Sequence, residues 1–414
     1  MNMAGIIAEY NPFHNGHRYQ LDTLREKTGA DYIVIAMSGD FLQRGVPAVF
    51  DKYERARAAL SCGADLVLEI PSLWATASAE YFASAGVALL GSTGVVQHLG
   101  YGVESHHPAL MAELTEFLHN APRQYDERVI AFQKEGNSYP LARAHALASL
   151  LPHYPREELE DFLASPNNIL ALEYEKALAL WNASHDNSII SHPIPRVGSG
   201  YHDDSLSDSF ASATAIRKAW GEEKSVADLS SYIPPECREL YAKLMDEHRS
   251  VSEDSVSSLL YYKLLMYEDM GYESFADCSP GLSHKIANHL PEYRSFSQFC
   301  SLLKSKDVTY TRISRVLLHI LLDFRQADYQ GENTPLCPPY LRVLGFRESA
   351  ADLLKSIKQC SAVPMVTKMA DAKEILSPRA YASLKKDIFA ADLYEHLGQE
   401  PSGYNEFTHP IVKR

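Results

Sequence analysis

Two histidines three residues apart, His14 and His17, are the first side chains in this sequence whose spacing suggests chemistry. They close the stretch Ala4-Gly5-Ile6-Ile7-Ala8-Glu9-Tyr10-Asn11-Pro12-Phe13-His14-Asn15-Gly16-His17. Imidazoles at i and i+3 share a helical face and can point at one anion. Ahead of them runs an apolar segment of strand length, and Pro12 disfavours helix at Asn11. Beyond them Tyr19, Leu21 and Leu24 recur at helical spacing, with Arg25 and Lys27 near the helix end and Gly29 after it. The pair therefore opens a helix that follows a buried strand. Free N–H groups and the positive end of the dipole make such a position attractive to phosphate. Gly16 between the histidines removes a Cβ where a nucleotide would approach the backbone. The bare spacing also fits two surface or N-cap histidines. What favours phosphate chemistry is the strand, proline turn and helix start compressed into one short stretch.

Other residues could join that chemistry. Ser212-Ala213-Thr214-Ala215-Ile216-Arg217 leads hydroxyls into a helix with a cation one turn on, a pattern that can embrace a pyrophosphate or cap a surface helix. Gly39-Asp40-Phe41-Leu42-Gln43-Arg44-Gly45 suits a substrate-facing loop or an ordinary solvated one. Arg196, next to a Gly-Ser-Gly turn, could hold a phosphate or carboxylate bidentately, or simply lie on the surface. Lys304-Ser305-Lys306-Asp307-Val308-Thr309-Tyr310-Thr311-Arg312-Ile313-Ser314-Arg315 mixes charges with aromatic and hydroxyl residues, as phosphate-backbone contacts or a solvated helix start would. There is no P-loop, no complete G-x-G-x-x-G, no H-E-x-x-H and no G-x-S-x-G, and no protein metal site is expected.

The elements that must position these residues follow from periodicity. Tyr32–Met37 and Leu66–Ile70 are short apolar runs of the kind parallel sheets bury. Val95–Tyr101 reads as a fourth strand and Ser188–Pro195 as a fifth. Helices lie between: one capped by Asp51 and ending at Gly63, another over Ser78–Leu90, and a third starting at Ser165-Pro166-Asn167-Asn168. Repeated βα units imply a Rossmann-like, doubly wound parallel sheet that binds ligands beyond the carboxyl ends of its strands. From about Ala219 the pattern is mostly helical with no second run of βα units. This gives two expected domains: residues 1–225, catalytic, and residues 226–414, mostly α-helical.

The chain's 414 residues carry a net charge of −14, unevenly spread. From Leu282 to Arg414 there are 18 Lys and Arg against 14 Asp and Glu, a net of +4, while the remainder carries −18. An acidic front and mildly basic rear suit a protein that holds a small molecule in one part and an anion in the other, although plain surface unevenness would look the same. No signal peptide and no window of 18 apolar residues is present, so neither secretion nor membrane insertion is expected. Six cysteines without C-x-x-C or zinc spacing read as the reduced thiols of a cytoplasmic protein.

The element around His14 and His17 resembles the His-x-Gly-His signature of the nucleotidylyltransferase-like superfamily. Taken together, G-I-I-A-E-Y-N-P-F-H-N-G-H, M-S-G-D-F-L-Q-R-G, D-K-Y-E-R-A, P-N-N-I-L-A-L-E-Y, the P-R-V-G-S-G-Y-H-D turn, A-S-A-T-A-I-R-K and P-P-Y-L-R-V-L-G-F resemble one family, the bacterial tRNA(Met) cytidine acetate ligases. The resemblance spans most of the chain in order. It implies formation of acetyl-adenylate from acetate and ATP. The acetyl group would then pass to N4 of the wobble cytidine of elongator tRNA(Met), giving N4-acetylcytidine. His14 and His17 would act on the phosphates. ATP would be lined by Ile7, Ala8, Glu9, Tyr10, Asn11, Pro12, Phe13, His14, Asn15, Gly16, His17, Arg18, Tyr19 and Gln20, completed by Gly102, Asn167 or Asn168, and Arg196. Mg2+ would ride on the phosphates. The tRNA would lie over the rear half, on Lys304, Lys306, Arg312 and Arg315. One departure is Tyr101-Gly102-Val103-Glu104 where the family often has F-G-S-E, so any contact from that serine is lost. The rival readings are a small-molecule nucleotidylyltransferase and a nucleotide-binding regulator without turnover.

Overall fold

A computed structural model of the protein describes residues 1–104, 107–196, 210–306, 308–330, 334–398 and 403–414. The whole turn 197–203, Ser209, and Asp307 of the basic segment lie outside the described residues.

The apolar runs form one sheet. β1 (Met3–Ala8), β2 (Tyr32–Ser38), β3 (Leu66–Ile70), β4 (His98–Val103) and β5 (Ile190–Pro195) are mutually parallel in the order β5-β4-β1-β2-β3. Register is set along their buried lengths: Ile6 faces Ile35 on β2 and Gly100 on β4. β1–β3 are buried almost throughout, which is why they read as continuous apolar stretches rather than alternating ones. β4 begins three residues later than the apolar run suggests, because Val95 and Val96 pack before the strand while Gly102 and Val103 pair with Ile194 and Pro195.

Helix α1 (Asn15–Thr28) follows β1, and α2 (Lys52–Ser61) follows β2 with Asp51 accepting from the Tyr53 and Glu54 N–H groups. Helices Ala79–Gly91 and Pro166–Ser184 pack on the opposite face. Two cores result, one on each side of the sheet; Ile7, Phe82 and Tyr174 belong to one, Phe13, Leu24 and Ile194 to the other. The order of strands reverses between β1 and β4. Ligands of open α/β sheets bind at that switch point, beyond the strands' carboxyl ends.

The rear half is mostly helical but returns to the sheet, which the periodicity did not suggest. β6 (Leu341–Phe346) pairs antiparallel with β3, with a register shift between Val67 and Leu68, and β7 (Met365–Val366) and β8 (Val412–Lys413) pair with β6. Arg342, the second residue of β6, interrupts the apolar run; it is nevertheless 2 % exposed. Among the described residues no helix is long and apolar enough to cross a membrane.

Candidate active site

The turn after β1 is held from several sides. Tyr10 takes a left-handed conformation (φ 49°). The Val49 N–H donates to Asn11 Oδ1 at 2.7 Å, and the buried Arg55 guanidinium donates to the carbonyls of Glu9, Ser38, Gly39 and Phe50. Arg55 thereby ties the carboxyl ends of β1 and β2 together and satisfies carbonyls that the sheet leaves open. From beyond residue 225, Tyr241 donates its hydroxyl to Phe13 O at 3.1 Å, and Asn15 donates its N–H to Tyr232 O and its amide to Ser231 O.

The histidines themselves cap α1. His14, in extended conformation at the N-cap, accepts the Gly16 N–H on Nδ1 at 3.0 Å; His17 Nδ1 accepts the His14 N–H at 3.3 Å. This is a capping box built from two imidazoles instead of a hydroxyl and a carboxylate. Because both Nδ1 atoms accept, each proton sits on Nε2, and both rings are neutral donors. Burial, with Arg196 and Arg217 nearby, lowers the His14 pKa to about 3; burial and His14 hold His17 well below its ordinary value. The rings stack at 3.8 Å between centroids, with the edge of Tyr10 against His17. The reason for glycine at 16 is local: a Cβ there would stand 2.9 Å from His14 Cε1, so glycine is what lets the imidazole reach its own backbone. Gly16 also lines the cleft, so this local reason stands beside the expected one, room for a nucleotide.

Opposite the histidines stand two arginines. Arg217, on helix Ala213–Gly221 capped by Ser212, donates to Asn11 O and to Thr214 Oγ1; burial first, then Arg44, lowers its pKa to about 10. Arg196, at the end of β5, is lowered by burial. Among the described residues neither forms an ion pair. Arg196 is exposed and Arg217 half-buried, so both guanidinium groups can be reached by an anion in the cleft.

Together these groups line a cleft of about 250 Å³ at the switch point between β1 and β4. Of the residues expected there, Ile7, Ala8, Glu9, Tyr10, Asn11, His14, Gly16, His17, Tyr19, Gln20, Gly102, Asn167 and Arg196 line it. Pro12, Phe13, Asn15, Arg18 and Asn168 do not. Phe13 is buried beneath His17, and Arg18 turns away to Asp22 and Glu236. Asn168 is fully buried and accepts the Glu104 N–H at 3.0 Å, while Asn167 donates to the Glu104 carboxylate at 2.6 Å and borders the cleft.

Sequence reasoning weighed Arg217 and Thr214 without placing them in the site, and it left Gln43 and Arg44 as one of two options; all four line the cleft. Phe82, Leu170 and Tyr174 carried no signal, since aromatic and aliphatic residues on helix faces look like core. The four rear cations are less uniform than their spacing suggests. Lys304 and Lys306 are exposed, but Arg312 and Arg315 both face Asp277, at 3.7 and 3.1 Å. Nor is the helix that carries Arg312 and Arg315, Tyr310–Leu321, remote from the cleft. Ser314 Oγ donates to Gly45 O at 2.9 Å, and a Cβ on Gly45 (φ +79°) would fall 2.3 Å from Arg315 N.

A mostly parallel sheet with neutral, helix-capping histidines and two arginines around one cleft is the arrangement of a nucleotidyl transferase. A family model described as HIGH Nucleotidyl Transferase matches residues 1–407. The chain is 36% identical over 414 residues to the tRNA(Met) cytidine acetate ligase of Clostridium novyi (strain NT), covering 99% of each. It is also 32% identical over 425 residues to the enzyme of that name from Halothermothrix orenii, covering all of both. Among solved structures, apo Thermotoga maritima TmcAL matches with a TM-score of 0.92 at 30% identity, over 100% of this chain and 99% of that one. The form bound with alpha-thio ATP matches at 0.89 and 30% identity, over 100% of each. The chain belongs to the tRNA(Met) cytidine acetate ligase family, whose members are enzymes.

Proposed function

We propose that this chain uses ATP to activate acetate as acetyl-adenylate and transfers the acetyl group to N4 of the wobble cytidine of elongator tRNA(Met). The observation that carries the reading is the imidazole capping box. It presents two uncharged Nε2–H donors at a helix N-terminus, in a cleft also lined by the guanidinium groups of Arg196 and Arg217. Acetate oxygen attacks the α-phosphorus, the bond to the pyrophosphate breaks, and negative charge moves onto the leaving group. Donors fixed before the reaction stabilise that charge without reorganising. Positioning does the rest, for no covalent enzyme intermediate is needed. The phosphate-facing side chains are N–H donors, which fit phosphate oxygens and not a cation. A Mg2+ ion accompanying ATP would therefore take its ligands from the phosphates and water, and supply charge neutralisation there.

The tRNA is read as lying over the rear half, residues 226–414, whose part from Leu282 onward is the basic one, with its anticodon reaching the cleft, in a cytoplasmic protein. Support comes from the contact between helix Tyr310–Leu321 and the Gly45 loop, which brings the basic segment next to residues that line the cleft. The test is acetate-dependent ATP–pyrophosphate exchange, followed by mass spectrometry of nucleosides from tRNA(Met) incubated with the protein. Exchange that requires acetate, and N4-acetylcytidine in the product, are expected. Exchange without acetate, or acetylation driven by acetyl-CoA without ATP, would sink the reading.

A further inference from the structure

The cleft has two unlike sides, divided by the end of β1. Toward α1 and helix Ala213–Gly221 it offers donors for an anion: His14, His17, Thr214 and Arg217. Toward helices Ala79–Gly91 and Pro166–Ser184 it is walled by Ile7, Phe82, Tyr101, Leu170 and Tyr174. Four of these belong to the core of that face, and Leu170 packs against it. A phosphate finds no partners on the second side. A flat, weakly polar ring does, because aromatic walls stack nucleobases irrespective of their sequence.

One carboxylate serves this side. Alternation along the strand's continuation puts Glu9 on the same face as Ile7. The Gln43 N–H donates to its Oε1 at 2.8 Å, while Oε2 makes no hydrogen bond among the described residues. Glu9 is partly exposed and lines the cleft. Its charge is felt by Tyr174 on the aromatic side and by Arg217 on the phosphate side, so it stands at the boundary between them. A fixed carboxylate at that point repels phosphate and acetate alike. It needs another partner.

We infer that Glu9 is the proton acceptor of acetyl transfer, receiving the N4 amine of a cytosine stacked on the aromatic side. The inference rests on the acetyl-adenylate reading above. In the step, N4 attacks the carbonyl carbon of acetyl-adenylate and the N4–C bond forms. The C–O bond to AMP breaks, and AMP leaves with the electron pair. One N4 proton passes to the Glu9 carboxylate and thence to water. Cytosine N4 is a poor nucleophile because its lone pair is delocalised into the ring, so removing the proton as the bond forms is the help this step needs. The same contact selects the base. A carboxylate accepts from the N4 amine of cytosine but opposes O4 of uracil, which is itself an acceptor.

Glu9→Gln tests this, since the amide oxygen keeps the bond from Gln43 N–H while the basic oxygen is lost. Two rates are compared in each variant: single-turnover acetyl transfer from preformed enzyme-bound acetyl-adenylate to tRNA(Met), and acetate-dependent ATP–pyrophosphate exchange without tRNA. General-base loss predicts a fall in transfer of about 10²-fold or more, at least about tenfold beyond any fall in exchange, with Glu9→Asp recovering part of it. An equal fall in both rates, or transfer close to wild type, overturns the assignment. Absence of acetate-dependent exchange in the wild-type protein would instead overturn the reading beneath it.

Discussion

Two regions of the molecule gather charge, and they do so in opposite ways. At the β3–β6 edge, Lys52 Nζ lies 2.8 Å from Glu69, 3.0 Å from Glu406 and 3.8 Å from Asp40, and Arg342 reaches Tyr53 and Glu406. Nearby, Asp387 takes the Ser72 N–H and hydroxyl and the Tyr340 hydroxyl. Every one of these side chains is buried with its partners drawn from the protein. Burial alone would lower the Lys52 pKa, but Glu406, Glu69 and Asp40 outweigh it and raise it. In the cleft, by contrast, Arg196 and Arg217 are lowered by burial and no carboxylate among the described residues reverses the shift. Charge that closes on itself is architecture. Charge left open toward a cleft suits the binding of an anion.

The comparison breaks most visibly at Lys52. Lys52→Met strands Glu69 and Glu406 beside Arg342 alone, and removing one partner of a buried pair costs about 3–5 kcal/mol. A large drop in melting temperature is expected, with activity surviving in whatever fraction remains folded. A variant as stable as wild type would show that the cluster is solvated rather than buried. At the cleft the sign of the effect changes. His14→Ala or His17→Ala removes a donor that the proposed reaction uses in its transition state, worth about 2.7–4 kcal/mol, or 10²–10³ in the exchange rate. Stability should fall far less than in the Lys52 variant, by about 1 kcal/mol for a lost helix cap. Normal exchange in both variants would mean that the site has been misplaced.

How far each region was legible follows from how each is built. The cleft's phosphate side could be read because its parts are local: strand, turn, H-N-G-H and helix lie together in sequence. The Asp51 cap and the helix start at Ser165 were legible for the same reason. The compensated cluster was not. Lys52 and Glu69 are 17 residues apart, and Tyr53 meets Glu406 across 353. Each alone looks like a solvated charge, and only the return of β6 to the sheet assembles them. The aromatic side of the cleft was hidden differently, since Phe82 and Tyr174 obey the same periodicity as core residues and face the cleft only because the strands end there.

Acid and base should also separate the two regions. The ordinary histidine value of 6.5 falls to about 3 at His14 in the folded protein, chiefly through burial. The folded state therefore holds fewer protons than the unfolded chain in that window. This contribution to stability is full above pH 6.5 and is lost as pH falls through 3. Glu69 runs the other way: burial, reinforced by Glu406, Asp387 and Asp40 against the pull of Lys52, raises it from 4.5 to about 8. Its contribution is full below pH 4.5 and is lost as pH rises through 8. Melting temperatures across both windows should show Glu69→Gln flattening the alkaline decline and His14→Ala easing the acid one. Identical curves for wild type and both variants would refute the opposed titrations.

The smallest expected effect concerns the rear cations, where the same distinction between compensated and open charge sorts four residues that looked alike. Arg312 and Arg315 share Asp277, and the side chain of Arg315 is only 13% exposed. Lys304 and Lys306 are exposed, with no carboxylate within ion-pair distance among the described residues. If tRNA phosphates dock there, the two lysines carry most of the counterion release, and each lost contact should flatten the log–log salt slope of tRNA affinity by about 0.7–0.9. Lys304→Ala and Lys306→Ala should therefore weaken tRNA binding most at low salt and leave acetate-dependent exchange near wild type. Arg315→Ala should act mainly on the fold. Its guanidinium pairs with Asp277 at 3.1 Å, and this pair holds the helix that packs on the Gly45 loop, which carries Gln43 and Arg44 to the cleft. The measurement is tRNA affinity at two salt concentrations beside the exchange rate for each single variant. Equal slopes for wild type and both lysine variants would remove tRNA from this surface. A slope changed by Arg315→Ala alone would show that Asp277 releases its arginine when tRNA binds.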